Sequence, residues 1–60
     1  MVIITNYDIG ERVSHPDDGA GTIERIEADV AGGNTPVIMY HIKFDNGEEA
    51  AYFEFDIEAV

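Results

Sequence analysis

The sequence predicts an all-β domain, a small barrel of four to five antiparallel strands, and three observations carry that expectation. Between Gly10 and Glu27 the chain reads GERVSHPDDGAGTIERIE: an apolar run, a His-Pro turn, Gly-x-Gly, and a second apolar run. That order suits one strand entering a tight loop and another leaving it, with glycine where the backbone bends sharply. Asp45-Asn46-Gly47 stands between two further apolar runs and has the composition of a hairpin turn. From Val37 to Phe44, Ile38, Tyr40, Ile42 and Phe44 fall on one strand face, and Val37, Met39, His41 and Lys43 on the other. No segment sustains the 3.6-residue apolar period of a helix.

Taken in order, residues 2–5 form a short first strand or a loose lead-in, ended by Asn6-Tyr7-Asp8. Residues 9–15 are the next strand, with Ile9 and Val13 facing the core. His15-Pro16-Asp17-Asp18-Gly19 turns the chain, because proline fixes φ and glycine admits positive φ. A strand follows over residues 21–30. Its apolar positions Ile23 and Ile26 lie three apart, so a β-bulge or strong bend between them is needed to bring both inside. Residues 31–36, Ala-Gly-Gly-Asn-Thr-Pro, read as a flexible loop. After the strand over 37–44 and the Asn-Gly turn, residues 48–53 return as a strand. The tail alternates strictly, which predicts Phe53, Phe55 and Ile57 inward and Glu54, Asp56 and Glu58 outward; one helical turn near 55–58 is the other reading. The expected core is Ile9, Val13, Ile23, Ile26, Ile38, Tyr40, Ile42, Phe44, Phe53, Phe55 and Ile57.

A chain of 60 residues makes one domain. At this size folding buries only about 60% of the surface exposed by the unfolded chain, so stability is expected to be marginal. Cysteine is absent, which excludes disulfides and thiolate metal sites. No apolar run approaches the roughly 18 residues of a membrane span, and the apolar start lacks the basic flank of a secretory signal. The expected setting is soluble and cytoplasmic. Thirteen acidic residues oppose three basic ones (Arg12, Arg25, Lys43), for a formal charge of −10. Nucleic acids attract proteins chiefly through Lys and Arg, so direct binding to DNA or RNA is not expected. The charge favours solubility, or a basic partner.

Catalytic chemistry finds little footing. Ser14 and His15 are adjacent, and neighbours on a strand point to opposite faces, so His15 is badly placed to activate Ser14. His15, Asp17 and Asp18 are chemically able to ligate zinc, but three ligands in one exposed turn lack a distant fourth. Gly19-Ala20-Gly21 has neither the following helix nor the third glycine of a dinucleotide fingerprint. Asp45-Asn46-Gly47-Glu48-Glu49 lacks the ligand spacing of a calcium loop. The sequence therefore predicts no enzyme, no catalytic or metal-binding residues and no cofactor. An aromatic cage for methylated lysine would need Tyr7, Tyr40 and Tyr52 together, and their spacing does not bring them so.

The pattern G-x-x-V-x-H-P-x-x-G-x-G-x-I-x-x-I-E, followed by Y-x-I-x-F-x-x-G, runs through Gly10, Val13, His15, Pro16, Gly19, Gly21, Ile23, Ile26, Glu27, Tyr40, Ile42, Phe44 and Gly47. It resembles a group of SH3-like (Tudor-like) barrels. One branch is the RNA polymerase-interacting domain of the CarD family and of transcription-repair coupling factors; the other is the C-terminal domain of UvrD/PcrA-type helicases. The ending Tyr52 to Glu58 is similar in spacing to the helicase branch, where a short turn packs an aromatic and an aliphatic residue onto the barrel. Asp17-Asp18 departs from relatives, which often carry an aromatic or basic residue there. The resemblance implies docking onto a large protein, with bacterial RNA polymerase or an associated helicase or repair factor as partner. Such barrels often use an exposed sheet edge.

Two interaction surfaces follow as expectations. Met39, His41 and Lys43, joined by Tyr52 on the next strand, face away from the predicted core and form a mixed contact patch with Arg25. Alternatively, Glu54, Asp56 and Glu58 on a strand would line one face about 6.8 Å apart, at about 3.4 Å per residue. Such a row would mimic the phosphates of a nucleic acid and inhibit an enzyme that binds one.

Overall fold

Alternating side chains and glycine bends give five strands in one antiparallel sheet. They are β1 (Arg12–His15), β2 (Gly19–Asp29), β3 (Val37–Phe44), β4 (Glu49–Phe53) and β5 (Glu58–Ala59), in the spatial order β4-β3-β2-β1-β5. A 3₁₀ turn, Glu54–Asp56, joins β4 to β5. This computed structural model describes residues 4–29 and 36–60. Residues 1–3 at the expected lead-in, Val30 and residues 31–35, where the sequence predicts a loop, lie outside the described residues. The all-β expectation holds, and β3 has the bounds its alternation predicts. No described helix is long and apolar enough to cross a membrane.

The core is Val13, Ile23, Tyr40, Ile42, Phe44 and Ile57, with Tyr7, Ile26, Ile38, Ala50 and Tyr52 packed against it. Ile23 and Ile26 both reach it because the β2–β3 register shifts between Ile23 and Arg25. Across the shift Ile23 opposes Ile42 and Ile26 opposes Tyr40. The extra residue on β2, Glu24, is the bulge that an apolar spacing of three demands. Gly21 is buried opposite Phe44. A Cβ there would meet Ile42 Cγ2 at 2.7 Å and the Lys43 carbonyl oxygen at 2.9 Å, so only glycine fits this crossing.

The sheet curls strongly. His15 on β1 and Tyr52 on β4 stack with ring centroids 4.0 Å apart and planes at 21°. Two strands lie between them, and a flat sheet would hold their backbones about 14 Å apart at about 4.8 Å per strand. Side chains close this gap; no β4–β5 ladder occurs among the described residues.

Several sequence expectations need correction. Residues 4 and 5 form no strand, and the strand expected over 9–15 begins only at Arg12. Ile9 is 65% exposed, not core. A turn, closed by the Glu11 N–H donating to the Asp8 carbonyl at 3.0 Å, carries Ile9 out at its tip, with Gly10 at φ 90°. Tyr7 takes its place, packing edge-on against Tyr40 with centroids 5.4 Å apart. β2 starts two residues earlier than expected, at Gly19. The tail does not continue as a strand. The 3₁₀ turn leaves Phe55 83% and Phe53 37% exposed, while Ile57 is buried as predicted.

Candidate functional site

Residues directly opposite each other in an antiparallel pair share a face of the sheet. Tyr40 opposes Tyr52, so Tyr52 points to the core side, and the patch expected to include it is corrected on that point. On the outer side Arg25 opposes His41, Glu27 opposes Met39, and Thr22 opposes Lys43. Across the other ladder Met39 opposes Phe53, His41 opposes Ala51, and Lys43 opposes Glu49. Four of the five residues expected to form the contact patch, Arg25, Met39, His41 and Lys43, therefore stand on one face.

This face has a charged half. His41 Nε2 lies 3.0 Å from Glu27 Oε1, and Arg25 Nη2 lies 3.3 Å from His41 Nδ1. The same Arg25 nitrogen lies 3.2 Å from His41 Nε2, so the guanidinium sits beside both ring nitrogens. Arg25 also approaches Glu27 Oε1 at 3.7 Å. Lys43 Nζ is 3.9 Å from Glu49 Oε2, a loose and exposed pair that contributes little stability. A groove of about 460 Å³ is lined by Glu24, Arg25, His41, Ile42, Glu49, Ala50 and Ala51.

The other half is apolar. Phe53 and Phe55 stack at 5.4 Å and 17°, and with Pro36, Val37, Ile38 and Glu54 they line a groove of about 380 Å³. Expecting both phenylalanines in the core concealed this surface. Their strict spacing matches a strand, whereas the turn is closed by two local bonds between residues three apart: the Phe53 N–H donates to Asp56 Oδ2 at 3.3 Å, and the Ile57 N–H to the Glu54 carbonyl at 3.3 Å. The same turn removes the expected row of carboxylates. Glu54 and Asp56 lie within it and Glu58 on β5, so the three do not share the face of one strand.

Behind the outer face, Tyr52 belongs to a latch. Its hydroxyl donates to Asp18 Oδ2 at 2.7 Å while its ring stacks on His15, and both rings meet Phe44 edge-on. The hydrogen bond to Asp18 holds the Tyr52 phenol above its ordinary pKa, with burial and the charges of Asp18, Asp17 and Asp56 acting the same way. His15 Nδ1 accepts the Asp17 N–H at 3.2 Å and lies 3.7 Å from Asp18 Oδ2. Among the described residues no group of three or more His, Asp or Glu is arranged to hold a metal. The i,i+3 spacing of His15 and Asp18 was visible in the sequence; their partner on β4 was not.

Of the three tyrosines, Tyr7 and Tyr40 do meet, contrary to the spacing argument. Tyr40 is fully buried and accepts the Asn6 N–H at 3.1 Å, so the pair plugs the core and forms no open cage. The Tyr7 phenol is pushed up, first by burial and then by the charges of Glu54 and Glu11.

No family model, curated protein or solved structure matches this chain. Fold and surface together define the class: a small all-β domain presenting a half-charged, half-apolar sheet face beside an open edge.

Proposed function

We propose that this chain is a non-enzymatic protein-interaction module that docks through the outer face of β3–β4 and the edge of β4. The observation that carries this reading is the edge itself. β4 pairs only with β3 among the described residues, and its outer side is bordered by Ala51, Met39, His41 and Phe53. Unpaired backbone groups on such an edge extend a partner's sheet, and aromatic and methionine side chains supply contact area.

Bacterial RNA polymerase, or a helicase or repair factor associated with it, is the partner suggested by the sequence resemblance, and a cytoplasmic setting is part of the proposal. The test is retention of purified polymerase on the immobilised chain at moderate salt. Wild type is expected to retain it and Ala51→Pro to release it, because proline removes an edge N–H. Equal retention by both proteins, or by neither, counts against this reading.

A further inference from the structure

Hydrogen-bond parity shows which backbone groups of β4 are unused. The Phe44 N–H donates to the Glu48 carbonyl at 2.8 Å and the Gly47 N–H to the Phe44 carbonyl at 3.0 Å, which makes 44–48 a hydrogen-bonded pair. Such pairs alternate along an antiparallel ladder. With Ile42 opposite Ala50 and Tyr40 opposite Tyr52, the backbones of Ala50 and Tyr52 face β3. Those of Glu49, Ala51 and Phe53 face away. The Phe53 N–H indeed reaches a side chain, Asp56, rather than a strand. The open edge is thus Glu49 and Ala51, ending at the Phe53 ring.

The side chains at 49, 51 and 53 share the outer face, so a visiting strand meets acid, methyl and aromatic ring in that order. The acidic end is reinforced by Glu24, which lines the same groove as Glu49, and by the exposed Glu48. Lys43, at 3.9 Å from Glu49, and Arg25, which lines the same groove, offset these three carboxylates only in part. At the other end Phe53, Phe55, Val37 and Pro36 offer an apolar groove. Ala51 between them is small enough for a backbone to approach.

We propose that this edge takes an extended segment carrying an apolar residue followed four positions later by lysine or arginine. In an antiparallel addition the residue facing Phe53 precedes the one facing Glu49 by four, and both point to the same side. This deepens the docking reading and rests on it. A second copy of this chain is the wrong occupant, since each copy carries a formal charge of −10.

The test uses the full chain, 15N-labelled, with capped heptapeptides as probes. Thr-Phe-Thr-Val-Thr-Lys-Thr is expected to shift the amides of Glu49 and Ala51 and to weaken as salt rises. Replacing its lysine by glutamate, or reversing its order, is expected to cost at least about tenfold in affinity, because like charges or mismatched ends then meet. Ala51→Pro, with its remaining amide spectrum unchanged, is expected to lose binding. Equal affinity for the lysine and glutamate probes, no binding by any probe, shifts centred on Arg25, or dimerisation through β4 overturns the proposal. If the probes fail while polymerase is retained by wild type and lost by Ala51→Pro, the motif falls and the docking reading stands. If the probes bind as stated and polymerase ignores the Ala51 change, the docking reading falls.

Discussion

His15 and Tyr52 stack at 4.0 Å across a sheet that places two strands between them, and Asp18 holds the Tyr52 hydroxyl at 2.7 Å. This contact records how far the sheet has curled, and it joins the His-Pro turn to the outermost strand. Tyr52→Ala and His15→Ala are each expected to lower the thermal midpoint by several degrees. The double variant is expected to lose less than the sum, as a shared contact requires. Calorimetry on the four proteins measures the coupling; strict additivity would mean that the two rings do not support each other.

The raised Tyr52 phenol makes the latch sensitive to alkali. A folded pKa above the unfolded value of about 10 means that the contribution is complete below that pH. It is lost as pH rises through the higher folded value. Tyr52→Phe, which cannot ionise, is expected to show no such loss from this site. Site-resolved NMR titration of the tyrosine rings, compared with unfolding midpoints above pH 9, checks both statements.

At the opposite limit of pH, Arg12 grips the hairpin turn. Its guanidinium donates to Asp45 Oδ1 at 2.8 Å and Oδ2 at 2.6 Å, and to Thr22 Oγ1 at 3.0 Å. That hydrogen-bonded pairing, with the attraction of the Arg12 charge, lowers the Asp45 pKa against an opposing effect of burial. The stabilisation is present above the ordinary carboxylate range and lost as pH falls through the depressed value. In Arg12→Gln the Asp45 carboxyl is expected to titrate higher, read from its side-chain carbon shift. An unmoved titration would dissolve the link between β1 and the turn.

Gly21 offers a steric prediction. Gly21→Ala forces a methyl group against Ile42 and the Lys43 carbonyl, and is expected to cost about 1–3 kcal/mol as an overpacked core does. Denaturant unfolding measures it. An unchanged midpoint would show that β2 and β3 separate more easily than their packing requires.

Tyr7 and Ile9 form a matched contrast. Tyr7→Ala removes the ring packed on Tyr40 and is expected to destabilise by about 2 kcal/mol, allowing for partial burial. Ile9→Ser, at an exposed turn tip, is expected to stay within about 0.5 kcal/mol of wild type. The reverse order would restore Ile9 to the core.

What the sequence made legible is local. The alternation of β3, the glycine at 47 with φ 94°, and the spacing of Ile23 and Ile26 each state a backbone requirement within a few residues. The bulge followed directly from that spacing. Four of the five expected contact residues share a face because parity within β3, and across to Arg25, needed only one correct register. Tyr52 and Phe53 exchanged places because the phase of β4 depends on how the hairpin closes. A type of turn with Gly47 as an extra residue shifts parity by one, which inverts every side chain beyond it.

Composition and patterning alone determined an all-β chain, its strand-forming segments, most of its core and its formal charge of −10. Only the folded chain decided that Tyr7 rather than Ile9 completes the core, that Phe53 and Phe55 stack outside, and that His15 meets Tyr52. The reason is one of range. Strand periodicity and glycine conformation act between neighbours along the chain, whereas the curl of the sheet and the ring contacts of His15 with Tyr52 and of Tyr7 with Tyr40 join groups that only folding brings together.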